Sequence, residues 1–168
     1  MLVALARKGS ITRLGELTFK AAPTLVTGVV LRMLLSAAGG RVLLPPVLAS
    51  GVYLVSYGCV LYAVYANRCL PGLPLTGAGT LMNALVIFAN GARMPISVEA
   101  LERVGLLGEA ERIAHSYTHQ LMGPGARLWW LADVVTFRPV LSNVFSIGDG
   151  FIALGLFLAI YSSMTRRQ

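Results

Sequence analysis

Four runs of apolar residues, each close to twenty positions long, alternate along the chain with polar stretches. They are residues 22–40 (APTLVTGVVLRMLLSAAGG), 47–66 (VLASGVYLVSYGCVLYAVYA), 74–92 (ending in LMNALVIFANGA) and 147–163. One crossing of a bilayer takes about 20 mostly apolar residues, so each run predicts one membrane-spanning helix. A polar lead-in precedes the first run, with Arg7, Lys8, Arg13 and Lys20 against Glu16, and Pro45-Pro46 breaks the chain before the second. Between the third and fourth runs lies a polar segment, 93–146. Within it, residues 96–122 carry a helical pattern with Leu101, Val104, Leu107 and Ile113 on or near one face; Ser97 stands as a cap and Gly123-Pro124-Gly125 as a stop. Trp129 and Trp130 then bring the chain back to the membrane interface, where indole rings favour the boundary.

The pattern predicts an all-α integral membrane protein, a four-helix bundle forming a single domain over residues 1–168, with a helical extracytoplasmic segment between spans three and four. Composition agrees: 56% of residues are hydrophobic and 12% charged, about half the charged share of an ordinary soluble domain. Mean hydropathy is +0.72. The net charge of +7 would raise nucleic-acid binding in a soluble chain, but here the cations border the spans, and a nucleic-acid partner is set aside. The lead-in holds four cations, the turn after the second run Arg68, and the tail Arg166 and Arg167, all on one side. The positive-inside bias therefore puts both termini in the cytoplasm and segment 93–146 outside. A cleaved signal peptide is the competing reading of the first run; Arg32 within it and the long lead-in argue against that reading. Cys59 and Cys69, ten residues apart on or just beyond one helix, neither pair as a disulfide nor offer a metal spacing.

Asp149 sits at the start of the fourth run. Intramembrane acids are functional candidates, but a carboxylate in the first turn also satisfies free N–H groups and the helix dipole, so a catalytic and a capping reading both stand. Asp133 is a second acid on the same predicted side. Two carboxylates within a few ångströms titrate together, so that one keeps its proton near neutrality. An aspartyl hydrolase uses that state, one group activating water and the other polarising the scissile carbonyl. A solvated interfacial role for Asp133 is the alternative. Asn83 and Asn90 are seven residues apart on one helical face and Arg93 follows one turn later; they either lock a neighbouring helix or orient the acids. Arg32, inside the first run, snorkels or pairs with a carboxylate. Glu111, His115 and His119 at i, i+4 and i+8 would share a helix face able to hold a metal, but they lack the zincin pattern, and no metal or cofactor is expected.

The stretches NRCLPGL (67–73), LMNALVIFANGARMPIS (81–97), LADVV (131–135) and NVFSIGDGFIALGLFLAI (143–160) resemble a family of small bacterial integral-membrane proteins known only as a domain of unknown function, with NGxRMP and FSxGD motifs. In that resemblance the opening MLVALA stands for a shortened first apolar segment. The second half also resembles, more distantly, the prolipoprotein signal peptidase, a four-span aspartyl protease: NGAR (Asn90, Arg93), LADVV (Asp133) and FSIGD (Asp149) follow the order of its late motifs. That resemblance implies Asp133 and Asp149 as the dyad. Against it, the peptidase's cradle after its first span has no counterpart in residues 41–46, NGARMP lacks its acid, and Ser146 replaces its Asn.

The reading is thus a polytopic membrane protein with membrane lipid around it and two open roles. One is an aspartyl-dyad hydrolase acting at the outer leaflet on a membrane-anchored peptide or lipid-linked substrate, with Asp133 and Asp149 catalytic and Asn90, Arg93, Asn83 and Arg32 supporting. The other is a non-enzymatic subunit or assembly factor of a membrane complex, docked on a partner membrane protein. An ion carrier would need a polar path that Arg32, Asn83 and Asp149 hardly make.

Overall fold

The computed structural model of the chain describes residues 10, 12–15, 18–137 and 141–165. Arg7, Lys8, Glu16, Arg166, Arg167 and the opening MLVALA lie outside the described residues. The described chain is mostly helical. Its helices, after a short turn at Thr12–Gly15, are α1 (Ala22–Ala38), α2 (Pro46–Ala66), α3 (Leu73–Ala89), α4 (Val98–Arg103), α5 (Ala110–Ala114) and α6 (Ile147–Thr165). The strands are β1 (Met94–Ile96), β2 (His119–Leu121), β3 (Val135–Phe137) and β4 (Leu141–Phe145).

Proline opens α1, α2 and α3, at the position where a missing N–H costs nothing and the fixed φ suits a helix. Residues 39–40 and 90–92, assigned to the spans from their apolar character, lie beyond the helices. Gly40 and Gly91 adopt φ +71°, and Ala92 follows at +62°, so the chain turns away there. Helices α1 and α3 are therefore 17 residues long. Helices α2, with 21 residues, and α6, with 19, are long and apolar enough to cross a membrane; α1 and α3 are shorter apolar helices.

The four long helices form a row in which α1 packs on α2, α2 on α3, and α3 on α6, the α2–α3 seam being the thinnest. Glycine sets the close approaches. A Cβ at Gly79 of α3 would lie 2.8 Å from the Cβ of Phe151 on α6, and one at Gly28 of α1 would lie 2.9 Å from the Cβ of Cys59 on α2. At one end of the row, the buried Asn67 amide donates to the carbonyls of Lys20 and Ala63, both at 2.7 Å, and its oxygen accepts from Lys20 N at 2.8 Å. At the other end, Tyr117 Oη accepts from Leu44 N at 2.7 Å and donates to Val42 O at 2.8 Å, tying the α1–α2 connection to the segment between α3 and α6.

That segment is not one helix across 96–122. Ser97 does cap α4, its Oγ accepting from Ala100 N at 3.2 Å, but the helix ends at Arg103, where Gly105 at φ +76° reverses the chain. Two small sheets lie in the same segment. β1 and β2 are parallel, with Met94 opposite His119 and Ile96 opposite Leu121, while β3 and β4 form an antiparallel hairpin. Leu101, Val104 and Ile113 are buried as their pattern requires and pack with Ile96 and Val144; Leu107 is exposed.

Candidate functional site

Asp133 occupies an extended stretch that runs beside β1 on the side away from β2. Its N–H donates to Pro95 O at 3.1 Å and its carbonyl accepts from Ser97 N at 3.0 Å, so its backbone is pinned by the strand. The neighbouring Ala132 is fully buried, and Asp133 itself is 7% exposed. Burial, then the nearby charge of Asp149, push the Asp133 carboxyl up to about 7; Arg32 acts in the opposite direction.

Asp149 begins α6 in a reciprocal cap with Ser146. Its Oδ2 accepts from Ser146 N at 3.0 Å, while Ser146 Oγ accepts from Asp149 N at 2.9 Å. The other oxygen, Oδ1, accepts from Asn83 Nδ2 at 2.8 Å, and Ser146 Oγ donates to Asn83 Oδ1 at 2.9 Å. One buried amide on α3 thereby holds both partners of the α6 cap. Gly148 makes room for it, since a Cβ there would overlap the Asn83 amide.

A cavity of about 1160 Å³ brings these groups together. Asp133, Asp149, Asn83 and Arg32 all line it, with Tyr57, His119 and Asn143. Arg32 lies over the Tyr57 ring, 5.7 Å from its centroid, and makes no ion pair within 4 Å among the described residues. Of the residues singled out from the sequence, Asn90 and Arg93 are not among the described residues lining this cavity. Asn90 instead caps α3 and latches a loop: its amide donates to Val86 O and Arg127 O and its oxygen accepts from Arg127 N, each at 2.8 Å.

Glu111, His115 and His119 do not share a helix face. Helix α5 ends at Ala114, and His119 belongs to β2. The three line the cavity separately, and no group of three metal-ligating side chains occurs among the described residues. His119 is half-buried, its Nδ1 is 2.9 Å from Thr118 Oγ1, and desolvation together with the charge of Arg32 holds its imidazole down at about 4, so it faces the cavity neutral at ordinary pH.

Sequence reasoning missed Tyr57 and the place of His119, and it gave Ser146 no role of its own. Ser146 was readable, because Ser-x-x-Asp ahead of an apolar run is a capping signature. Tyr57 carried no such signal. Beside it, Tyr53 is fully buried and its hydroxyl has no hydrogen-bond partner among the described residues.

No curated protein matches the chain, and no solved structure does. A family model described as a family of unknown function (DUF5317) matches residues 16–161. Those residues include every element of the site, and the chain belongs to that family.

Proposed function

We propose that the protein is a four-span membrane protein carrying an aspartyl hydrolase centre at its outer rim, with Asp133 and Asp149 sharing the acid and base roles. The observation that carries this reading is the common cavity, where a buried carboxyl that titrates near neutrality stands in the field of a second, hydrogen-bonded carboxylate.

Exposed apolar side chains support the membrane setting. Val26 and Met33 on α1, Leu54 on α2, Leu81 and Leu85 on α3, and Leu154 and Phe157 on α6 all face outward, more contiguous apolar surface than a soluble monomer leaves uncovered. Helices α1 and α3 then cross within the short end of the spanning range, which begins at about 17 residues. The exposed pair Trp129 and Trp130, in edge contact with ring centroids 6.0 Å apart, suits a membrane interface.

In the reaction, the Asp149 carboxylate takes a proton from water as its oxygen attacks an ester or amide carbonyl. Protonated Asp133 donates a hydrogen bond to the carbonyl oxygen, and the tetrahedral intermediate forms. Collapse of the oxyanion returns the proton from Asp149 to the leaving oxygen or nitrogen, and Asp133 keeps its own throughout. Arg32 adds positive charge to the wall where the oxyanion develops. Asn83 is a positioning residue, holding Asp149 through Oδ1.

The bonds among Ser146, Asp149 and Asn83 also favour a second reading, a non-enzymatic subunit whose polar groups lock α3 to α6 while the segment between those helices docks a partner membrane protein. Asp133→Asn and Asp149→Asn variants, expressed in native membranes, separate the two. The hydrolase reading expects membrane-anchored peptide or lipid-linked species to accumulate uncleaved at unchanged protein level, with turnover down at least about a thousandfold. Unchanged product profiles in both variants remove it. Loss of protein and of a stoichiometric partner, at unchanged turnover, favours the second reading.

A further inference from the structure

The cavity that holds the acids continues past Tyr57. Arg32, Met33, Ser36, Tyr57 and His119 also line a second space of about 640 Å³, bounded by all four long helices. Most of its wall is hydrocarbon: Val29 from α1, Val60 from α2, Leu73 from α3, and Ile152 and Leu156 from α6. Most of the hydroxyls there are already spent. Ser56 donates to Tyr53 O at 2.7 Å, Thr80 to Thr76 O at 2.8 Å, and Ser163 to Ala159 O at 2.7 Å, so each satisfies its own helix. A peptide backbone inside this slot would find its N–H and C=O groups unmet, and water would find few polar partners; a hydrocarbon chain loses nothing.

The slot's height fits such a chain. On α1 its wall runs from Leu25 to Ser36 and on α6 from Ile152 to Ser163, which at about 1.5 Å per residue is about 16 Å. Half the hydrocarbon core of a bilayer is about 15 Å. Its side is open. Val29 and Met33 on α1 and Leu156 and Ile160 on α6 line the slot while being 41–66% exposed, and α1 and α6 pack on α2 and α3 rather than on one another.

We propose that this slot seats the hydrocarbon chain of an amphipathic substrate that enters sideways from the bilayer between α1 and α6, so that the ester or amide joining chain to head group lies in the cavity of Asp133 and Asp149. The substrate assignment rests on the hydrolase reading; the chain site stands on the slot alone. Arg32, Tyr57 and His119 mark the level at which hydrocarbon gives way to polar head. The larger space above it is of the size that holds whole small ligands, which leaves room for a head group of several polar units.

Photolabelling of the full-length protein in phosphatidylcholine vesicles tests this. The probe is a palmitoylated tetrapeptide with a diazirine midway along its acyl chain; a parallel arm uses phosphatidylcholine with the diazirine in one chain. Adducts from the lipopeptide are expected on Val60, Leu73 or Ala159, displaced by unlabelled lipopeptide and reduced at least about tenfold, equivalent to 1.4 kcal/mol, when the slot is filled in Ala159→Trp. Leu156→Trp, at the exposed mouth, should do the same without burdening the core. Retained labelling at outward-facing Leu54 and Leu81 shows that either variant is inserted and folded. Labelling confined to those outward positions, or slot labelling by phosphatidylcholine that the lipopeptide does not displace, overturns the proposal. Asp133→Asn should label normally; in the wild-type protein, intact labelling without any hydrolysis removes the catalytic reading alone, and hydrolysis without slot labelling removes the slot alone.

Discussion

Asp133 and His119 stand in the same cavity and are shifted in opposite senses. The Asp133 carboxyl rises from 3.8 to about 7, so the folded protein holds its proton more tightly than the unfolded chain, and that stability is present below about pH 4 and lost as pH rises through 7. The His119 imidazole falls from 6.5 to about 4, so its contribution is present above about pH 6.5 and lost as pH falls through 4. At 1.36 kcal/mol per unit these are on the order of 4 and 3 kcal/mol, and between pH 4 and 6.5 they nearly cancel. Thermal unfolding in detergent across that range should therefore be flatter for the wild-type protein than for either variant. Relative to wild type, Asp133→Asn should lose stability as pH falls, and His119→Gln should lose it as pH rises. Parallel profiles for all three would show that neither group is perturbed by folding. The cap at Asp149 was legible in the Ser-x-x-Asp spacing, whereas the burial of Asp133 was not. That burial depends on Pro95 and Ser97, nearly forty positions earlier in the chain, which LADVV does not announce.

Among the elements, α3 and α6 owe their contact to positions without side chains, and the same economy shapes the site. Gly148 faces the Asn83 amide that holds Asp149. Gly148→Ala should push Asn83 aside and cost about 1–3 kcal/mol, the usual penalty of overpacking. It should also lower turnover, although the substituted residue touches no reacting atom. Adding Asn83→Ser, whose side chain is smaller, should restore stability but not activity; recovery of both would mean that Asn83 does not position the acid. The long helices were readable because a twenty-residue apolar run admits few other structures. The segment between α3 and α6 was not, because three-residue strands exist only through their partners: β1 needs Thr118 and Met122 on one side and Asp133 on the other, and no local period encodes that.

At the scale of the molecule, the two ends of the helix row have different characters. Asn67 ties the lead-in at Lys20 to the turn after α2, and Arg13 donates to Met164 O near the end of α6, so Arg13, Lys20 and Arg68 gather at one end. Cys69, exposed in that turn, reports the orientation without any engineering. If the positive end faces the cytoplasm, a membrane-impermeant maleimide added to intact cells should leave Cys69 unmodified and label it after permeabilisation, whereas a cysteine placed at the exposed Trp130 should react in intact cells. The reverse pattern would put the acids on the cytoplasmic side. Counting cations along the sequence groups Arg13, Lys20 and Arg68 without saying which helices meet there, and the shared cavity at the other end required coordinates.

The thin seam between α2 and α3 divides the row into two closely packed helical hairpins, α1 with α2 and α3 with α6, and the charges divide with them. Arg32 rides on the first hairpin, whereas Asn83 and Asp149 ride on the second, and Asp133 is strung between the strand that leaves α3 and the hairpin that leads into α6. A small rocking of one hairpin against the other would carry the guanidinium toward or away from the two acids with little repacking inside either half. The proton affinity of the centre would then follow the width of the gap between α1 and α6, so that a guest wedged there would tune the acidity of the groups beside it.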